Sequence, residues 1–165
     1  MSKEQYYRFP RQLLTSPAWA ALNINERRAF DRVMEEHQSK SGFVNDGLVV
    51  TYRDFVRAGI HPRNVKSSMD VLRALDIIEC TRDMGGSATG RTPKMWRPNF
   101  LPRTPTSNDA THDYLKIKTL EEAKAIADLH RFHDKRKGRM PQKLKKLRAA
   151  LSPSIAPQSK VAVDK

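Results

Sequence analysis

Apolar positions along this chain fall into short amphipathic stretches set apart by polar turns, and their period changes with position. Pro10 to Leu22 reads as a short lead-in helix or a pair of turns. In it Ser16 is a good N-cap, Pro17 sits at the first helical position, and Trp19 and Leu22 face inward. Asn23-Ile-Asn-Glu26 has the form of a capping box and predicts a helix over about 25–39, with Ala29, Phe30, Val33 and Met34 at helical spacing. After the turn-rich SKSGFVNDG, Leu48-Val49-Val50 is a short strand. Thr51-Tyr-Arg-Asp54 is a second capping box, whose helix runs through about Ala58 and is ended by Gly59. Pro62 restarts a helix that reaches about Leu75, with Val65, Met69, Leu72 and Leu75 as its buried stripe. Ile77 to Arg82 reads as a strand, DMGGSATGRTP as a loop, and Lys94 to Asn99 as a returning strand with Met95 and Trp96 toward the core.

Three helices followed by a two-stranded ribbon is the order of a winged helix, and the short joint holding Gly59 is what a helix-turn-helix needs. The expected class is therefore mainly α with a small β-wing (α+β), followed by a C-terminal helix and a basic tail. The segments divide as an N-terminal arm at 1–9, a winged-helix domain at 10–101, a linker at 102–118, an amphipathic helix at 119–134 and a tail at 135–165. Thr119-Leu-Glu-Glu122 caps the C-terminal helix, along which Leu120, Ala123, Ile126, Ala127 and Leu129 share a side. That stripe reads as a homodimer seam, as a docking face for a protein partner, or as a surface that folds back on the winged helix. MPQKLKKLRAAL reads as one or two further helical turns.

Charge sharpens this picture. The 165 residues carry a formal net charge of +13, with 31 Lys+Arg against 18 Asp+Glu. Residues 1–129 contribute only +4 and residues 130–165 contribute +9. Eight basic residues and no acid lie between Lys135 and Arg148: Lys135, Arg136, Lys137, Arg139, Lys143, Lys145, Lys146 and Arg148. Such a block repels itself and suits sequence-independent contact with phosphates. The expected partner is nucleic acid. A membrane surface is disfavoured, because no Trp or Phe anchor follows Phe132 and no apolar run reaches the roughly 18 residues that cross a bilayer. The absence of a hydrophobic leader after MSKEQYYRFPRQ and a single cysteine, Cys80, point to the cytoplasm, against the nucleoid.

The second helix of a helix-turn-helix can lie in the major groove only if its first turns present polar side chains. Here those turns offer Arg63, Asn64, Lys66, Ser67 and Asp70. Arg pairs bidentately with guanine and Asn with adenine. Thr51, Tyr52 and Arg53 open the preceding helix, whose start can hold a backbone phosphate. Arg82, Arg91, Lys94 and Arg97 lie along the wing, where Arg can enter the minor groove. GGSATGR lacks the G-K-[ST] ending of a nucleotide cradle. His130 and His133 have no third ligand in the pattern, so no metal or other cofactor is expected. Cys80 reads as a small buried hydrophobe, and no catalytic constellation argues for an enzyme.

Gly59-Ile-His-Pro-Arg-Asn-Val-Lys-Ser-Ser-Met69, with Leu72, Leu75 and Ile77-Ile78-Glu79 behind it, resembles the helix-turn-helix of bacterial winged-helix DNA-binding proteins. It is similar to the form found in phage and plasmid replication proteins and in small regulators. LVVTYRDF resembles the strand and helix start that precede it, and the likeness spans roughly 10–101. Asp76 stands where such sequences usually place Gly to end the recognition helix. The resemblance implies binding to double-stranded DNA, as a transcriptional regulator or as a replication or mobile-element accessory factor. A basic RNA- or ribosome-associated protein is the remaining alternative, disfavoured by an aromatic content of 7%.

Overall fold

Local capping signals set the boundaries of the helices. In the computed structural model, which describes residues 9–40, 44–82, 86–87, 90–91 and 93–135 (backbone alone at 86–87, 90–91 and 133–135), two four-residue helices come first: α1 (Arg11–Leu14) and α2 (Pro17–Ala20). The Ser16 hydroxyl caps α2 by accepting the Trp19 N–H at 3.1 Å. The long helix α3 (Ile24–Ser39) begins at the reciprocal box: Asn23 Oδ1 accepts the Glu26 N–H at 3.1 Å, and Glu26 Oε2 accepts the Asn23 N–H at 2.7 Å. Strand β1 (Leu48–Val49), helix α4 (Tyr52–Arg57) and helix α5 (Pro62–Ala74) follow.

Strand β2 (Ile78–Arg82) leads to two short strands, β3 (Gly86–Ser87) and β4 (Gly90–Arg91), and the chain returns through β5 (Met95–Pro98). Asp83 to Pro93 is thus more than a loop, since β3 and β4 pair antiparallel with Gly86 opposite Arg91. In the main sheet the order is β1-β5-β2, all antiparallel, with Leu48 opposite Trp96 and Glu79 opposite Arg97. The class is α+β. Asp76 between α5 and β2 takes the left-handed conformation, φ 54°, that Gly usually fills. Asn99 Nδ2 holds that turn by donating to the Asp76 carbonyl at 3.1 Å.

The core is one cluster. Ala29, Phe30, Val33 and Met34 of α3 and Leu72 and Leu75 of α5 are fully buried, and Trp96 packs in from β5. Trp19 is only half-buried; it meets Phe30 edge-on, and the Arg27 guanidinium lies 5.5 Å from its ring centre. Residues 102–118 are not a linker. Their Tyr114 is fully buried, Ile117 nearly so, and a 3₁₀ turn (Asp113–Lys116) sits on the core. Helix α6 (Leu120–Lys135) then packs on α5 and α2. Its Ala123, Ile126, Ala127 and Leu129 are buried within the chain, while Leu120 is exposed. The stripe is therefore used internally, which removes it as a homodimer seam.

Polar groups lock α6 down. Arg131 donates to both Glu26 oxygens at 2.7 and 2.6 Å and to the Ala21 carbonyl at 2.9 Å. Glu26 is 1% exposed, so the capping carboxylate of α3 is also the counter-charge of α6. The Glu26 carboxylate first, and Asp128 after it, push the Arg131 guanidinium higher still. No helix among the described residues is long and apolar enough to cross a membrane. The helical turns read at MPQKLKKLRAAL lie outside the described residues.

Candidate nucleic-acid interface

The joint between α4 and α5 is fixed by its own backbone, by caps and by a tie to α3. Gly59 has φ 83°, a conformation costly for any side chain. Its carbonyl accepts from Arg28 Nη1 of α3 at 2.9 Å. Ile60 is buried beneath the turn. His61 Nδ1 caps α5 by accepting the Arg63 N–H at 3.2 Å, and Tyr52 Oη donates to the Pro62 carbonyl at 2.8 Å. The starts of the two helices are thus tied to each other and to α3.

On α5, Arg63 and Lys66 point to solvent, as the sequence pattern predicts, and Arg73 joins them on the same line. At 3.6 residues per turn, Arg63, Lys66, Asp70 and Arg73 fall within an arc of about 80°. Asp70 is half-buried between two cations, with Lys66 Nζ at 2.8 Å and Arg73 Nη1 at 3.8 Å. The sequence pattern alone does not single out Arg73, although its spacing of three residues from Asp70 is a signal that marks it. Asn64 is half-buried at the margin of the line.

Ser67 does not belong to this surface. It is 5% exposed, and its hydroxyl donates to the Asn64 carbonyl at 3.1 Å. By helical spacing it shares a flank with Val71 and Ala74, and on that flank Ala74 meets His130 of α6 in a groove of about 250 Å³ also lined by Asp70 and Arg73. A helix lying against one flank narrows what α5 can show.

The start of α4 is likewise partly used up. Thr51 donates through its hydroxyl at 2.6 Å and its N–H at 2.9 Å to the same Asp54 oxygen. The hydroxyl, then the N–H, hold the Asp54 carboxyl below its ordinary value. The helix start thus carries its own carboxylate, to which the Thr51 hydroxyl and N–H are already committed. Tyr52, 54% exposed, and Arg53 still face outward.

On the wing, Arg82 is exposed at the end of β2 and Lys94 is half-buried before β5. Arg91 is described by its backbone in β4. Arg97 is the clear correction: it is 4% exposed. Its guanidinium pairs with Glu79 at 3.0 Å, with the Asp109 carboxylate at 3.3 Å, and with the Asp109 carbonyl. Arg103 completes the cluster at 3.1 Å from Asp109. β5 is the central strand, and the chain beyond it folds back across this position, so alternation along the strand does not bring the side chain to water. The side chain of Lys135, and Arg136, Lys137, Arg139, Lys143, Lys145, Lys146 and Arg148 entirely, lie outside the described residues.

A second depression, about 550 Å³ and open, is lined by Asp46, Gly47, Glu79, Cys80, Thr81, Arg82, Met95 and Arg103. Its charges are mixed, and Glu79 is already engaged by Arg97. Cys80 is half-buried on its wall, short of the full burial read from the sequence, with Sγ 3.2 Å from the Arg82 carbonyl. Among the described residues no group of three His, Cys, Asp or Glu could hold a metal ion. No protein-family model, curated protein or solved structure matches this chain.

Proposed function

We propose that this chain is a winged-helix protein that binds double-stranded DNA sequence-selectively, as a transcriptional regulator, with α5 in the major groove. One observation carries the reading: the helix that follows the Gly59 turn shows Arg63, Lys66 and Arg73 along its outer side. An α-helix with its side chains is about 10–12 Å across and the major groove about 12 Å wide, so such a side can reach base edges. The element order and the β1-β5-β2 sheet support the winged-helix reading, because they set the β3–β4 ribbon after β2 and bring Arg82 to its base. Tyr52 and Arg53 then flank the groove as backbone contacts. The basic residues from Lys135 to Arg148 add affinity for any sequence.

The test begins with selection of a preferred duplex from a random pool, followed by titrations against that duplex and a scrambled one. Arg63→Ala and Asn64→Ala should each reduce the preference by about 5- to 100-fold, the worth of one base contact. Equal loss on both duplexes would make them phosphate ligands. Deleting 135–165 should flatten the log–log salt dependence by about 0.9 for each phosphate that the tail neutralises. An unchanged slope would take the tail out of the interface.

A further inference from the structure

Asp70 is the one acid on the outward line of α5, and it sits between two cations of that line. Its side chain is 28% exposed, against 70% for Lys66 and 46% for Arg73. The carboxylate is thus set back, with both cations standing beside and above it. Resting on the DNA-binding reading, we infer that Asp70 sets specificity by positioning Lys66 and Arg73 and by charging them against non-specific binding. The fitting ligand is a base pair that presents an exocyclic amino group in the major groove, cytosine N4 first.

The argument is electrostatic. A duplex of any sequence offers Lys66 and Arg73 a row of phosphates. To take them, both cations must give up part of their pairing with Asp70, and the carboxylate is then carried toward the same anionic backbone. Non-specific binding is weakened twice over. At a preferred site an amino group donates to the carboxylate and replaces what the cations withdraw. The penalty therefore falls on wrong sequences more than on the right one, which is how a repulsive element raises a ratio of affinities. A lysine–aspartate pair four residues apart on an exposed helix adds little to stability, so the carboxylate can be neutralised without loss of the fold.

The experiment compares full-length wild type, Asp70→Asn and Asp70→Glu on the selected and scrambled duplexes across a salt series, with thermal melts as a check on folding. Asp70→Asn should bind the scrambled duplex several-fold more tightly. Its salt slope there should steepen by about 0.9, the equivalent of one neutralised phosphate. The selected duplex should gain less, so the preference shrinks, and Asp70→Glu should keep the wild-type slope. An unchanged slope and preference in Asp70→Asn, or weaker binding to both duplexes, would overturn the inference while leaving DNA binding intact. So would loss on the selected duplex with no gain on the scrambled one, since that is base reading alone. If wild type shows no duplex binding that depends on Arg63, the parent reading falls and takes this one with it.

Discussion

Two groups of arginines in this protein do opposite things. Arg97 and Arg131 are drawn into the fold, where each meets a carboxylate within 3.0 Å and at least one backbone carbonyl. Arg63 and Arg73 stand on the outside of α5, where the nearest acid, Asp70, is 3.8 Å from Arg73. The first pair closes the molecule: Arg97 holds the 101–111 return against the sheet, and Arg131 holds α6 against the start of α3. The second pair closes nothing: Arg63 and Arg73 are exposed, and Arg73 meets only its helix neighbour Asp70 among the ion pairs described. The difference lies in what packs above each guanidinium, because the residue type is the same. Burial of the Arg97 guanidinium and of Glu26 beneath Arg131 makes the first group costly to break, and solvent makes the second group nearly silent in stability.

Substitutions at Glu26, Arg97, His37, Arg63 and Arg73, and a fall in pH, probe this contrast. The largest effect belongs to Glu26→Ala, which removes a capping acceptor and leaves Arg131 with only Asp128 and the Ala21 carbonyl; it should cost about 2–4 kcal/mol of unfolding free energy in a urea titration. A loss under about 1 kcal/mol would mean that α6 is not held there. Arg97→Ala should cost about 1–3 kcal/mol, since Glu79 and Asp109 keep some access to water and can rehydrate. Asp109 gains from its hydrogen bonds, first from Ser107 and then from the Arg103 N–H, which hold its carboxyl low. That stability is present at neutral pH and is lost as pH falls through and below the ordinary carboxylate range.

A smaller effect comes from His37. It is 5% exposed, its Nδ1 has no hydrogen-bond partner, and burial lowers its pKa from 6.5. Because the unfolded chain then binds the proton more readily, stability holds above pH 6.5 and declines as pH drops below it. Melts of wild type and His37→Leu between pH 7.5 and 5, about the span over which an ordinary histidine titrates, should diverge, with the wild type losing more. Parallel curves would mean that the buried ring stays accessible to protons. The smallest effect is on the outer line. Arg63→Ala and Arg73→Ala should each change stability by no more than about 0.5 kcal/mol. A larger loss would place these side chains in the fold with Arg97.

Much of the architecture could be read from the sequence. Capping boxes at Asn23 and Thr51, the Gly59 stop and the apolar periods of α3 and α5 are local signals, and each produced its element. The burial of Val65, Met69, Leu72 and Leu75 followed from helical spacing alone. What the sequence hid is tertiary. A run of Pro, Ser, Thr and Asp reads as a linker until Tyr114 and Ile117 are seen in the core. Alternation along β5 marks Arg97 as outward, and only the returning chain with Asp109 shows why it is not. Ser67 reads as a base-reading side chain because helical spacing does not reveal that the position is buried and its hydroxyl turned back onto the Asn64 carbonyl. Within the candidate interface, exposed positions at the start of α5 were legible, whereas the pairing of Asp70 with its neighbours emerged only with coordinates.

The central claim is that the outer side of α5 meets duplex DNA, and amide chemical-shift mapping tests it most directly. On adding the selected duplex to labelled protein, the account predicts shifts concentrated at Tyr52, Arg53 and Gly59 through Lys66, with Asp70, Arg73 and Arg82, and little change around Asp46, Glu79 and Arg103. Shifts confined to residues after Lys135, or centred on the Asp46–Arg103 depression with α5 undisturbed, would contradict it.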